Sequence, residues 1–277
     1  MIDAGEFEAA RPNLVAIGFR LLGSVHDAED AVQTAWLRAD GAVDVRNPGA
    51  WLTTVVTRIC LDQLRARARR GELPLLAEDV PADALTADER YLQREQISRA
   101  LLLVLDVLTP DQRVAYVLHE AFGLPFREIA TVLGCTVDAA KQHASRARRR
   151  VAAATPPDTG EADRAVVDAF LTAASGGDVA AMVALMADDC VRSADPSLVP
   201  PGVPTTVRGA RSVATETARF VDRIRAAVEV VVGGRTVRVI APGGHPLARL
   251  EVRVEDGVVH RIVIARLQLE TMVDLGF

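Results

Sequence analysis

A cluster of basic side chains near the middle of the chain has the spacing of one face of a helix. Residues 141–150 contain five basic side chains and no acidic one. Apolar residues recur through the same stretch at intervals of three and four, which is the spacing of a buried helical stripe: Val137, Ala140, Ala144, Ala147 and Val151. The opposite face then presents polar and basic groups to solvent.

The segments before this helix predict a helix-turn-helix. Residues 111–123 and 126–134 each carry apolar residues at helical spacing; Gly134 would end the second helix and Thr136 would cap the next. A second helix with a basic face is the geometry that enters the DNA major groove, where Arg pairs with guanine and Gln with adenine. The predicted contacts are Thr136, Lys141, Gln142, Ser145, Arg146 and Arg149. A purely structural helix-turn-helix is the competing interpretation.

A second basic stretch lies at residues 58–70, with five arginines against Asp62 alone. The whole chain has a formal net charge of −5, so the positive potential is local. Such stretches also occur as solvated helix ends that compensate the helix dipole. Two of them on amphipathic helices favour docking of phosphates.

Composition places the chain among globular proteins of more than one domain. Its 277 residues are 49% hydrophobic and 25% charged. No apolar run reaches the roughly 18 residues of a membrane span, and the first residues show no signal-peptide pattern, so we expect a cytoplasmic protein. Cys60, Cys135 and Cys190 share no metal-ligand spacing and are expected to be buried free thiols. We expect no metal, cofactor or catalytic site.

The pattern along the chain predicts three modules. The first is all-helical, with Asp27 as the N-cap of its second helix and helices at 7–22, 28–39 and 48–70. An acidic stretch, 71–90, lacks periodicity and predicts a mobile linker. The second module, also all-helical, spans 91–152, and a second linker spans 153–160.

The third module, 161–277, predicts an α+β fold. Helices are expected at 165–175 and 180–186, and antiparallel strands after them: Ala227–Val232, Thr236–Ile240, Ala248–Val254 and Val258–Leu267. Its titratable candidates for a polar site are Asp189, Asp195, His245 and His260, of which His245 is expected to be exposed in a Pro-Gly-Gly turn.

Three motifs, in order, resemble the extracytoplasmic-function (ECF) sigma factors of the sigma-70 family. Residues 27–38, from Asp27-Ala28-Glu29-Asp30 to Trp36-Leu37-Arg38, look like the polymerase-binding helix. Residues 47–52 and 58–65 are similar to the helices that engage the promoter −10 element. Residues 108–150 are similar to the domain that binds the −35 element. The resemblance makes 1–70 sigma region 2 and 91–152 sigma region 4.

The resemblance implies a role for each matching residue. Those near the −10 element would be Arg46, Asn47, Arg58, Gln63 and Arg65. Those against the polymerase would be Glu29, Asp30, Gln33, Trp36 and Arg38, with Trp36 equally suited to the core. The basic helix would read the −35 element. Core RNA polymerase and promoter DNA are the implied partners.

The third module resembles the SnoaL-like domains, which have a cone-shaped α+β fold with an apolar pocket. The resemblance implies regulation of the sigma factor in cis, and a small-molecule ligand of this module is a further candidate partner. The sequence departs from the related sigma factors in its first linker and after Asp188-Asp189. Two alternatives stay open: a ligand-responsive regulator that binds DNA alone, and a C-terminal cyclase or isomerase.

Overall fold

The computed structural model describes residues 2–39, 45–72, 77–95, 97–154, 162–232 and 235–267. The chain divides into two compact units. The N-terminal unit comprises Met1–Leu75 and Val80–Ala154, and the C-terminal unit comprises Leu76–Asp79 and Thr155–Gly276. Within the described residues, no helix combines the length and the apolar character needed to cross a lipid bilayer.

The N-terminal unit is all-helical, as predicted. Its helices are α1 (Ala4–Leu22), α2 (Val25–Ala39), α3 (Pro48–Arg70), α4 (Ala82–Arg94), α5 (Arg99–Asp106), α6 (Pro110–Tyr116), α7 (Phe126–Leu133) and α8 (Val137–Ala154). A short π-helical segment, Val117–Ala121, extends α6. The predicted helix at 111–123 is therefore present. In its second half the backbone hydrogen bonds span five residues, as in a π-helix, in place of four.

Helix α3 begins and ends at the predicted residues. The Asn47 side chain accepts a hydrogen bond from the Ala50 N–H at 3.1 Å, and Pro48 occupies the first helical position. Gly71 ends the helix with a φ of 65°, which a residue with a Cβ rarely adopts. Both ends thus follow from local capping chemistry.

Two predictions around α2 and the first linker are wrong. Helix α2 begins at Val25, two residues before the predicted cap, and the Ser24 hydroxyl accepts from the Asp27 N–H at 3.3 Å. Much of the stretch predicted as an irregular linker forms α4. Buried Asp88 on α4 accepts from the Val25 N–H at 2.7 Å, so an acidic residue that suggested a solvated linker instead caps another helix.

One continuous hydrophobic core joins the two predicted sigma modules within the N-terminal unit. It includes Leu52 and Val56 of α3, Ile129 of α7 and Ala144 of α8. Helix α3 packs against α1 and α2 and also against α6 and α7. Burial of apolar surface on both sides therefore fixes the position of α3.

The C-terminal unit has the predicted α+β class, with helices preceding most of the sheet. Its helices are α9 (Ala162–Gly176), α10 (Val179–Ala184), α11 (Ala210–Thr217) and α12 (Val221–Arg225). Its strands are β1 (Met186–Ala194), β2 (Thr206–Arg208), β3 (Ala227–Val232), β4 (Arg235–Ile240), β5 (Ala248–Glu255) and β6 (Val258–Arg266). The four predicted strands correspond to β3–β6.

The sheet is mixed, so the prediction of a purely antiparallel sheet is wrong. Its strand order is β2-β1-β6-β5-β4-β3, and β1 pairs parallel to β6. The sequence pattern missed β1, β2, α11 and α12. Met186-Ala187-Asp188-Asp189 lacks the alternation of apolar and polar residues that marks a half-buried strand. Pairing with β2 and β6 therefore determines the conformation of β1.

Burial separates the three free cysteines into two classes. Cys60 and Cys190 are buried as predicted, whereas Cys135 in the turn before α8 is only partly buried. Burial raises the pKa of Cys60 to about 12 and that of Cys190 to about 11. Because the thiolate is the reactive species, both thiols are protected at neutral pH.

We expect iodoacetamide at pH 8 to modify Cys135 first in the folded chain, and Cys60 and Cys190 only after denaturation in urea. Peptide mass spectrometry of the quenched reaction measures this order. A Cys135→Ser variant is the matched control and should take up almost no reagent while folded. Native-state labelling of Cys60 at the rate of Cys135 would contradict the described burial.

Candidate nucleic-acid interface

Helices α7 and α8 are joined by a tight turn that ends at Thr136. Gly134 has a φ of 67° and its N–H donates to the Ala130 carbonyl. The Thr136 hydroxyl then accepts from the Ala139 N–H at 3.1 Å, which satisfies one of the free donors of the first turn of α8. These local contacts set the angle at which α8 leaves the turn.

The six residues predicted to contact DNA through α8 share one exposed surface. Thr136, at the start of the helix, and Lys141, Gln142, Ser145, Arg146 and Arg149 are all exposed. The opposite stripe packs on α5, α6 and α7. Ala140, Ala144 and Ala147 are buried there, whereas Val137 is 39% exposed, so its predicted core position is wrong.

The basic side chains of α8 divide into two groups. Arg148 donates to Glu120 at 2.6 Å, and this carboxylate raises the pKa of the guanidinium; Arg150 donates to the Gln112 side chain at 2.9 Å. Among the described residues, no ion pair holds Arg146 or Arg149. Arg148 and Arg150 thus hold α8 against the preceding helices, whereas Arg146 and Arg149 are directed at solvent.

Lys141 and His143 lie on the flanks of α8. Lys141 lies 3.3 Å from Asp138 in an exposed pair one turn apart, which contributes little to stability. His143 is partly buried, and its Nδ1 atom has no hydrogen-bond partner among the described residues.

The predicted −10 residues lie on or just before α3. Arg46 and Asn47 are exposed, and the Asn47 side chain caps the helix; Gln63 is partly buried. Arg58 and Arg65 both contact the other sigma module. Arg58 donates to the Thr131 carbonyl of α7 at 2.7 Å, and Arg65 donates to Asp111 of α6 at 2.6 Å.

The predicted polymerase-binding residues occupy the outer surface of α2. Glu29, Asp30, Gln33 and Arg38 are exposed. Trp36 instead packs on Phe7, with ring centroids 4.5 Å apart, as its alternative core role predicts. Leu37 lies outside the predicted set, although its 71% exposure is unusual for a large apolar side chain. Its position beside Trp36 in the motif was the available signal.

The titratable residues predicted for the C-terminal unit do not converge on one site. His260 lies 3.9 Å from exposed Asp189. Asp195 accepts from the Ser197 backbone and hydroxyl, and these bonds lower its pKa. His245 is buried, so its predicted exposure is wrong. An apolar cavity lies elsewhere in this unit, with Arg192 and Glu216 in its wall.

Comparison with known proteins identifies the N-terminal unit. The family model "Sigma-70 region 2" matches residues 7–70, and "Sigma-70, region 4" matches residues 98–151. The ECF RNA polymerase sigma factor SigJ of Mycobacterium tuberculosis is 42% identical over 76% of this chain and 71% of that protein. The chain belongs to the ECF RNA polymerase sigma factors. It is therefore a transcription-initiation factor whose partners are core RNA polymerase and promoter DNA.

Further relatives belong to the same family. The probable ECF sigma factor SigI of M. tuberculosis is 36% identical over 62% of this chain and 63% of its own length. The crystal structure of M. tuberculosis SigJ covers 99% of both chains at 33% identity, with a TM-score of 0.46. The family models and the sequence relatives favour neither the stand-alone regulator nor the C-terminal enzyme.

The contact between Arg65 and Asp111 generates a prediction for stability. Their side chains are 39% and 35% exposed, and pairs of this exposure contribute about 1 kcal/mol or less. We expect the double-mutant cycle of Arg65→Ala and Asp111→Ala, measured by urea denaturation, to give a coupling energy below about 1 kcal/mol.

The pair Arg113 and Asp106 is the matched comparison, because the Arg113 side chain is only 6% exposed. Removing Asp106 should cost about 3 kcal/mol or more, since a buried charge loses its partner. A loss of that size in Asp111→Ala alone would contradict the prediction and show that the contact between α3 and α6 is a strong one.

Proposed function

We propose that the exposed surface of α8 reads the −35 element. Among the described residues, Arg146 and Arg149 extend from the exposed face with no ion-pair partner, and Gln142 lies one turn before Arg146. Arg and Gln are the side chains that pair bidentately with guanine and adenine. The N-terminal half of α8 would meet base edges, and its arginine-rich half would follow the phosphates.

We propose that Arg46, Asn47, Arg58, Gln63 and Arg65 lie near the −10 element in the initiation complex. Two of these side chains, Arg58 and Arg65, contact α7 and α6 in the isolated chain. To reach DNA they must leave those partners. The observation that carries this proposal is that the contacts are partly exposed and therefore inexpensive to break.

The outer surface of α2 is the proposed contact with core polymerase. Exposed carboxylates, an amide and Arg38 lie on the same helix as exposed Leu37. An apolar side chain inside a polar rim is the usual composition of a protein interface. We therefore add Leu37 to the proposed polymerase contacts Glu29, Asp30, Gln33 and Arg38. Trp36 packs against Phe7 instead and stabilises the helix.

The C-terminal unit is proposed to modulate initiation in cis and not to catalyse a reaction. The segment Leu76–Asp79, which lies between the two sigma modules in the sequence, belongs to the C-terminal unit, and its Ala77 N–H donates to the Pro246 carbonyl at 2.8 Å. A change in that unit would thus act on the segment that links the two promoter-binding modules. The proposed place of action is the cytoplasm, where polymerase and DNA meet.

Run-off transcription with purified core polymerase tests both parts of this account. Full-length chain and a 1–155 truncation would be compared on templates enriched for binding. Promoter-specific transcripts that differ in yield between the two forms are expected, since only the full chain carries the modulating unit. Equal yields at every concentration contradict modulation in cis, and the absence of specific transcripts from both forms contradicts the initiation role.

If Arg146 pairs with a base, Arg146→Ala is expected to weaken the apparent affinity for the promoter by about 1–3 kcal/mol. The measurement is transcription from templates with and without the −35 element. Arg11→Ala is the matched control, because Arg11 is an exposed arginine of α1 that pairs with exposed Glu8. Unchanged dependence on the −35 element in Arg146→Ala would remove Arg146 from the interface.

A further inference from the structure

Four strands of the C-terminal unit align three arginines in one row across the sheet. Val191 of β1 lies opposite Arg208 of β2 and Arg261 of β6, and Arg261 lies opposite Arg253 of β5. Residues opposite one another in neighbouring strands share a face of the sheet. Because neighbouring strands are about 4.8 Å apart, the row extends over roughly 14 Å of that face. All three arginines are exposed.

The row lies on the face of the sheet opposite the apolar cavity. Arg192 and Ile262, which line that cavity, directly follow Val191 and Arg261 along their strands. Successive residues of a strand point to opposite faces. The exposed arginines therefore belong to a different surface of the C-terminal unit, one that the cavity does not reach.

The arginine row forms one side of a polar cleft of ≈ 470 Å³. The other side is lined by Asp189 of β1, His260 of β6 and Glu255 of β5. Strand β1 is parallel to β6 and β5 is antiparallel to it, so these residues all lie on the same side of the row. Two residues of a strand span about 7 Å, which is the approximate separation of the two carboxylates from the row along the strands. The cleft thus has a basic side and an acidic side.

The arginines in this cleft have no partner in the part of the chain that the structure describes. No ion pair or side-chain hydrogen bond holds Arg208, Arg253 or Arg261, although Glu255 lines the same cleft, and the ion-pair contact of Asp189 is with His260 at 3.9 Å. Like charges directly opposite across strands destabilise a sheet, and Arg253 and Arg261 are such a pair. An anion between them would relieve this repulsion and accept charge-assisted hydrogen bonds.

The planar guanidinium group matches the oxygens of a phosphate, with which it forms two parallel hydrogen bonds. The acidic side of the cleft restricts the source of that phosphate. A continuous polyanion such as a DNA strand would also meet Asp189 and Glu255, which repel it. A small molecule with a phosphate at one end and hydroxyl or ammonium donors at the other satisfies both sides, because carboxylates accept hydrogen bonds from such donors.

We propose that this cleft binds a small phosphate monoester whose other end carries hydroxyl or ammonium groups, as in a sugar phosphate or an amino-sugar phosphate. Arg253 and Arg261 hold the phosphate with Arg208 beside them, and Asp189 and Glu255 accept from the donors. Among the four titratable residues predicted from sequence for a polar site, Asp189 and His260 line the cleft. The three arginines come together only through the strand register.

Calorimetric titration of the full-length chain with glucosamine 6-phosphate, glucosamine and inorganic phosphate tests the proposal. The second probe lacks the phosphate, and the third lacks the hydroxyl and ammonium donors. We expect glucosamine 6-phosphate to bind about tenfold or more tightly than either of the others, because hydrogen bonds to charged groups on both sides of the cleft add to its affinity. Equal affinities for glucosamine 6-phosphate and inorganic phosphate, or no binding of any probe, overturn the proposal.

Variants at exposed positions locate the two ends of the ligand. Arg253→Gln combined with Arg261→Gln should weaken binding of glucosamine 6-phosphate about tenfold or more. Glu255→Gln should reduce its advantage over inorganic phosphate. Arg211→Gln is the matched control, because Arg211 is an exposed arginine of α11 outside the cleft, and it should leave the affinity unchanged. Full affinity in the double arginine variant places the phosphate elsewhere and overturns the assignment.

A second arm of the experiment separates a small phosphate ligand from DNA. Fluorescence anisotropy would measure binding of a duplex without −10 or −35 elements to the wild-type chain, the double arginine variant and Arg211→Gln. We expect the three affinities to agree within about twofold. A loss of about tenfold confined to the double arginine variant would assign the row to the DNA backbone and overturn the proposal. Polymerase is absent from both arms, so neither outcome depends on the proposed role in transcription.

Discussion

The packing of α3 between two sets of helices is the interaction on which the N-terminal unit depends. Leu52 and Val56 belong to a core that continues from α1 and α2 into α6, α7 and α8. The same helix carries Arg58 and Arg65, which contact α7 and α6. A helix proposed to contact promoter DNA is therefore also the helix that holds the two sigma modules together.

The proposed double use of α3 bears on how an acidic chain can bind promoter DNA. The net charge is −5, and the basic residues are concentrated on α3 and α8. If the polymerase holds the two modules apart at a fixed spacing, the second DNA contact becomes intramolecular and gains from a high effective concentration. Neither basic surface then needs to supply the affinity alone, and partly exposed pairs such as Arg65 with Asp111 can be exchanged for phosphate contacts.

The features that sequence predicted are those with local causes. The ends of α3 follow from Asn47, Pro48 and Gly71, the turn before α8 follows from Gly134, and strands β3–β6 follow from β-branched runs between turns. The features that sequence missed depend on distant partners. Strand β1 is defined by its neighbours, Asp88 caps a helix 63 positions away, and Arg192 of β1 meets Glu216 of α11 only where that helix packs on the strand. The individual DNA and polymerase contacts remain predictions, because only a complex tests them.

If Arg58 and Arg65 leave α7 and α6 in the complex with polymerase, as proposed, α3 moves away from the module that contains α8, and a distance measurement tests this most directly. Spin labels would be placed at Asp62→Cys and Ala152→Cys, both exposed positions, in a Cys135→Ser background in which Cys60 and Cys190 are buried. Pulsed electron paramagnetic resonance would compare the free chain with its complex with core polymerase. A shift to longer separations in the complex is predicted, and an unchanged distance distribution would contradict the account.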